Sequence, residues 1–180
     1  MEQNATVGNT SAAISVKPGF EDFFGKIMSL VRNGEMNDRL GEDLKQLALT
    51  FPFDHDMNQF NTASNSHYER TLIGRDESGW EALIMTWHKG MQSSIHGHPE
   101  FASYSLLKGT LQLELFEDVD GTGEVKLTSV TKATENTGFY ALGEANVMTN
   151  HIHRITCLSD ISYSLHIYSD DARKGVVYGI

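Results

Sequence analysis

Ser93-Ser94-Ile95-His96-Gly97-His98-Pro99-Glu100 runs into Ser103-Tyr104-Ser105-Leu106-Leu107-Lys108-Gly109-Thr110-Leu111-Gln112-Leu113-Glu114-Leu115-Phe116, so a histidine pair adjoins strand-forming sequence. On an extended strand alternate side chains share a face, so His96 and His98 offer two imidazoles to one side. An isolated pair of this kind is also compatible with two exposed histidines at a loop tip. A metal site needs further ligands, and a second histidine-bearing strand, His151-Ile152-His153-Arg154-Ile155, supplies candidates. Two such strands facing each other inside a barrel would close a site. Spacing alone leaves His153 and His151 as competitors for the third ligand position, because both fall on the same strand face.

The sequence outward from these histidines reads as short β-like runs separated by Gly, Asp and Asn turns from Tyr68 onward. Strands are expected near Arg70–Gly74, Ala82–His88, Ala102–Leu107, Thr110–Glu117, Val125–Thr131, Gly138–Ala141, His153–Leu158, Ser162–Ser169 and Val176–Tyr178, with a hairpin tip at Asp118 to Gly123. Nine short strands without intervening helices imply an all-β closed or sandwiched body. Ahead of it, Phe20, Phe23, Phe24, Ile27, Met28 and Val31 keep the spacing of one helical face and stop at Asn33-Gly34. A second helix is capped by Asn37 or Asp38, carries Leu40, Leu44 and Leu47 as its apolar stripe, and ends at Phe51-Pro52-Phe53. Both stripes read as core. The expected organisation is a disordered polar leader over residues 1–17 and a single domain over 18–180, with helices in 18–50 and a barrel in 68–180.

Composition narrows the function classes. A chain of 180 residues suits one domain with a full core. A net charge of −10 argues against nucleic acid or an anionic membrane as partner. No stretch approaches the roughly 20 apolar residues of a membrane span. Cys157 is the only cysteine, so no intramolecular disulfide forms and an oxidising compartment is not indicated. With no signal-like start, the expectation is a soluble, cytoplasmic protein with a small-molecule partner.

Four stretches, in order, resemble the cysteine dioxygenase family of thiol dioxygenases within the cupin superfamily. Tyr68-Glu69-Arg70 is similar to that family's Tyr-x-Arg, Ser93 to His98 to its metal strand, His153-Arg154 to its third ligand, and Ser164-Leu165-His166-Ile167-Tyr168 to its Ser-x-His-x-Tyr strand. The resemblance implies a cupin jelly-roll barrel, ferrous iron on His96, His98 and His153, and oxidation of a small thiol by dioxygen. It implies that Ser164, His166 and Tyr168 form a relay to the iron-bound substrate. Arg70 would hold the substrate carboxylate beside Tyr68, which points to cysteine over 3-mercaptopropionate. Glu100 is the only acidic residue just past His98, and Pro99 breaks the strand before it, so a carboxylate ligand is not expected. The place of the family's crosslinking cysteine falls at Ala102 or Ser103, which resembles bacterial members without the Cys-Tyr thioether. Gly97 stands where the family usually has Asp, and Ser169-Asp170-Asp171 lacks its usual proline, a loop that leaves Arg173 as a rival carboxylate binder. A dioxygenase of another thiol, a different metal-dependent cupin enzyme, and a non-catalytic metal-containing cupin that binds a small anion are the alternatives.

Overall fold

From Tyr68 onward, short β-like runs are separated by Gly, Asp and Asn turns, the pattern of a body built from strands. In the computed structural model, which describes residues 15–61, 67–119 and 121–179, this pattern forms two antiparallel sheets. The elements are β1 (Ser15–Val16), α1 (Glu21–Asn33), α2 (Asp38–Asp54), a 3-10 turn (Met57–Phe60), β2 (Glu69–Arg75), β3 (Glu81–His88), β4 (Ile95–His98), β5 (Phe101–Lys108), β6 (Thr110–Asp118), β7 (Val125–Thr134), β8 (Thr137–Leu142), β9 (Asn150–Cys157), β10 (Ile161–Tyr168), a second 3-10 turn (Ala172–Lys174) and β11 (Val177–Tyr178). One sheet runs β1-β2-β3-β10-β5-β8 and the other β11-β4-β9-β6-β7. The nine expected strands are present, and β4 carries the histidine pair. Consecutive β5 and β6 lie in different sheets. Gly109 makes the corner with φ +92°, where an added Cβ would strike Ser162 Oγ.

β10 divides two cores. Tyr163, Leu165 and Ile167 pack against the helices, with Phe23, Phe24, Ile27, Leu44 and Phe51. The alternate residues belong to the space between the sheets, where Tyr168 packs with Leu83, Met85, Trp87, Leu113 and Ile155. The helical stripes are therefore core, as their spacing predicts. Asn37 is the cap of α2, its Oδ1 accepting from the Arg39 and Leu40 amides at 3.1 and 3.2 Å.

Two boundaries differ from the sequence reading. Order begins ahead of Pro18, because Ser15 and Val16 pair with Arg75 and Gly74 at the sheet edge, inside the span expected to be leader. Residues 1–14 of that span lie outside the described residues. Helix α2 continues through Pro52 to Asp54. The proline forfeits one backbone bond, but Phe51 is fully buried, stacks on His55 at 4.1 Å and meets Phe23 edge-on at 4.8 Å. His55 Nδ1 is also 3.1 Å from the Phe51 carbonyl oxygen. Tertiary packing thus outweighs the local stop signal. Among the described residues no helix is long and apolar enough to cross a membrane.

Phe51→Ala should lower the free energy of unfolding by about 3–5 kcal/mol in a urea titration, since it empties the centre of this aromatic cluster.

Candidate metal centre and substrate cavity

Antiparallel pairing sets His96 of β4 directly opposite His153 of β9, and the strand period returns His98 to the same face. The ligand atoms of these three side chains lie within 4.8 Å of one another. Two of the rings are oriented by carbonyl oxygens. His96 Nδ1 is 2.9 Å from the Ser94 carbonyl and His98 Nδ1 is 3.0 Å from that of His151. Each such Nδ1 carries the proton, which leaves Nε2 as a bare lone pair. His98 Nε2 and both nitrogens of His153 are buried without a hydrogen-bond partner. Orphaned polar atoms of this kind are costly, and a metal ion would satisfy His98 Nε2 and one nitrogen of His153 together. Burial, chiefly, pushes the pKa of all three below the usual histidine value, well below for His98 and His153, so they are neutral as ligands must be.

His151 is the rival that does not join this cluster. Pairing is out of step between His96/His153 and His98/Asn150, so β9 carries one extra residue there, a bulge that breaks simple alternation. His151 sits in the bulge at φ +49°, and its Nε2 meets the Tyr104 hydroxyl at 2.8 Å. Glu100 also lies outside the cluster and lines a separate cleft with Trp80 and Lys174.

Gly97 answers to space. An added Cβ would lie 2.6 Å from the Met148 carbonyl oxygen and 2.6 Å from the Thr149 Cα, and the Gly97 amide donates to the Val176 carbonyl at 2.8 Å. The Asp that resemblance leads one to expect cannot be placed without moving backbone.

Facing the histidines, the inner row of β10 is a continuous hydrogen-bonded chain. Trp87 Nε1 donates to Ser164 Oγ at 2.9 Å, Ser164 Oγ is 2.7 Å from His166 Nε2, and His166 Nδ1 is 2.8 Å from the Tyr168 hydroxyl. The direction of the chain follows from satisfying every donor. With the indole N–H on its oxygen, Ser164 donates to Nε2, the Nδ1–H donates to Tyr168, and the tyrosine O–H is left to point onward. Burial pushes His166 down to about 3 and the Tyr168 phenol up, the latter against the opposing pull of Arg70's charge, so both are neutral. Tyr168 lies nearly parallel to the His98 ring at 5.7 Å. Trp87 was not singled out by the sequence reading; the signal was its place on the inward face of β3 with Leu83 and Met85.

Tyr68 and Arg70 reach the same place from β2. A cavity of about 160 Å³ is lined by Tyr68, Arg70, Met85, His96, Tyr168 and Arg173 among others. Tyr68 stacks on Trp87 at 4.4 Å. Among the described residues Arg70 has no carboxylate within ion-pair distance, neither Glu69 nor Asp76. Arg173, by contrast, is already paired: its Nε is 2.9 and 3.1 Å from the Asp171 carboxylate oxygens. Asp171 also takes Arg75 Nη2 at 3.4 Å, Arg75 Nε donates to the buried Glu81 at 3.0 Å, and Glu81 accepts the Ala172 amide at 2.9 Å. This network fastens the loop after β10 over the cavity mouth. Across from Tyr168 in the β5 pairing is Ala102, while Ser103 faces Ile167, so only a methyl group stands where a thioether partner would be. Cys157 is buried beside the Ser159 carbonyl and Ser162 Oγ, at 3.2 and 3.3 Å.

A family model described as cysteine dioxygenase type I matches residues 15–174. The chain belongs to the cysteine dioxygenase type I family. Solved structures similar to it include a protein with a double-stranded β-helix domain from Klebsiella pneumoniae, 11% identical with a TM-score of 0.51 over 69% of this chain and 89% of that one. A cupin superfamily protein from Desulfitobacterium hafniense is 12% identical, with a TM-score of 0.49 over 65% and 90% of the two chains. No curated protein matches the chain. At such identities a structural likeness speaks for the fold alone, and the Klebsiella pneumoniae match speaks for a double-stranded β-helix. The cysteine dioxygenase family match carries more, since it spans all four stretches from Tyr68 to Tyr168.

His166, at about 3, and His151, which burial pushes down to about 4, bind protons in the unfolded chain below the usual 6.5 but not in the folded one. The unfolded state therefore gains protons first, and stability falls as pH drops from about 6.5 toward these values. The urea midpoint of metal-free protein should be lower at pH 5 than at pH 7; an equal midpoint would mean that these rings protonate without unfolding. Gly97→Asp should destabilise the fold and lower metal affinity together, measured by urea titration and by metal content.

Proposed function

We propose that the protein is an iron-dependent thiol dioxygenase that converts the thiol of L-cysteine to the sulfinate with dioxygen. The observation that carries this reading is the shared cavity in which an unpaired guanidinium, a neutral tyrosine hydroxyl and one edge of a neutral histidine triad converge. Its chemistry balances without a further reductant, because both oxygen atoms of O2 enter the sulfinic acid. The partners on this reading are a small thiol and dioxygen, and neither nucleic acid nor a membrane.

His96, His98 and His153 would hold Fe(2+), which supplies the redox chemistry that dioxygen needs. Three neutral imidazoles leave the charge of a divalent ion uncompensated, and this favours an anionic thiolate as the incoming ligand. Zinc or nickel would fit the same nitrogens, so iron rests on the family and on the oxygen chemistry. Arg70 would bind the substrate carboxylate through its two-pronged guanidinium, which fixes the thiol end toward the triad. Tyr168, oriented by His166, Ser164 and Trp87, would offer its O–H to the bound substrate or to oxygen and take it back. Tyr68 would form the wall between Arg70 and Trp87.

Oxygen uptake and sulfinate formation with cysteine, 3-mercaptopropionate and cysteamine, together with iron content on the same sample, test the reading. His96→Ala, His98→Ala and His153→Ala should each lose most bound iron, whereas His151→Ala should retain part of it. If His153→Ala keeps full iron while His151→Ala loses all of it, the third ligand is misassigned. Tyr168→Phe should keep its iron and turn over on the order of 10²-fold more slowly. Arg70→Ala should lower kcat/KM for cysteine by roughly 10- to 100-fold, the worth of a hydrogen bond to a charged group, and leave cysteamine turnover little changed. Arg70→Gln should shift preference toward 3-mercaptopropionate. Loss of cysteine turnover in Arg173→Ala but not in Arg70→Ala would place the carboxylate on the opposite side of the cavity.

A further inference from the structure

Tyr104 and His151 lie within the histidine cluster's surroundings yet have no part in the chemistry above. His151 is the extra residue of the β9 bulge, and its φ of +49° is a left-handed conformation that side-chain-bearing residues seldom adopt. A bulge residue is released from the regular ladder, and the His151 carbonyl is spent instead on a side chain, His98 Nδ1 at 3.0 Å. The ring of the same residue is held from the other sheet. Its Nε2 is 2.8 Å from the hydroxyl of Tyr104 on β5. Tyr104 is in turn fixed by its neighbours: it stacks with Phe139 at 5.2 Å, meets His153 edge-on at 5.1 Å, and pairs with His166 in the strand register. One hydrogen bond between the sheets therefore connects a rigid tyrosine to the strained residue whose carbonyl orients His98.

We propose that Tyr104, acting through His151, is a positioning residue that keeps the proton of His98 on Nδ1 and its Nε2 lone pair free for the metal. The inference rests on the metal-site reading above and extends it to two residues that do not touch the metal. Without the Tyr104 hydroxyl, His151 loses what anchors its ring across the barrel, and the bulge can relax toward extended backbone. The carbonyl then turns from His98, and the neutral imidazole is free to carry its proton on either nitrogen. A ring with its proton on Nε2 cannot ligate through that atom. The left-handed residue and the tyrosine belong to one device.

The test uses the full chain, labelled with nitrogen-15. In metal-free protein, proton–nitrogen correlation spectra report the tautomer of His98 directly. Wild type should show a single Nδ1–H form, and Tyr104→Phe should show a mixture. Titration with cobalt(II) and iron(II) should then give a dissociation constant raised by about 10- to 100-fold in Tyr104→Phe. Tyr104→Phe combined with His151→Ala should bind no more weakly than His151→Ala alone, because both changes break one bond. If Tyr104→Phe proves unstable, His151→Ala alone, which removes the ring and keeps the cost of the left-handed backbone, should show the same tautomer mixture. A purely structural role would lower the unfolding midpoint and leave the tautomer single, and that result overturns the proposal. Should wild type bind neither metal, the metal-site reading fails, while the spectra of metal-free protein still decide whether Tyr104 fixes His98.

Discussion

Burial of β10 on both faces is the constraint from which the site follows. Its outer residues Tyr163, Leu165 and Ile167 bind the helices, so the strand is fixed in the middle of its sheet and cannot turn its inner residues to water. Those inner residues, Ser164, His166 and Tyr168, are polar and buried. Buried polar groups must find partners, and these find them in their own neighbours along the strand and in Trp87. The hydrogen-bonded chain is thus a requirement of folding as much as of chemistry. Its single free donor emerges at Tyr168, beside the histidine cluster.

The opposite sheet meets a different demand, since three imidazoles must converge while strand geometry delivers only alternate residues to a face. β4 provides two and β9 one, and the bulge at His151 rotates the competing histidine out of the cluster and turns its carbonyl into the support of His98. Close packing makes this arrangement rigid. Gly97 and Gly175 let backbone meet backbone, and the Glu81–Arg75–Asp171 network holds the last loop against the barrel. A buried ion pair of this kind contributes less to net stability than to fixing one arrangement of the loop. Here that arrangement places Arg173 on Asp171 and leaves Arg70 as the unpaired cation of the cavity.

Periodicity made most of the fold legible. Short β-like runs between Gly, Asp and Asn turns marked the strands, the helical spacing of Phe23, Phe24 and Ile27 marked α1, and Asn37 announced the start of α2. Single signals misled where packing outweighed them: Pro52 reads as a stop, yet the stacked Phe51 and His55 carry the helix past it. Order at Ser15 and Val16 had no local signal at all, because a two-residue edge strand depends on the strand it joins.

The sequence by itself determined which residue types lie two apart, and so it determined the histidine pair, the Ser164-His166-Tyr168 row and the Tyr68-Arg70 step. Alternation is a local property of extended backbone, and it survives wherever the strand is placed. Only the tertiary structure separated His153, inside the histidine cluster, from His151 outside it, the unpaired Arg70 from the Asp171-bound Arg173, and Ala102 from Ser103 as the strand neighbour of Tyr168. Each of those choices turns on a register between strands distant in sequence, a bulge, or an ion pair across a loop. Such relations are set by how two sheets close on each other and not by the spacing of residues along either one.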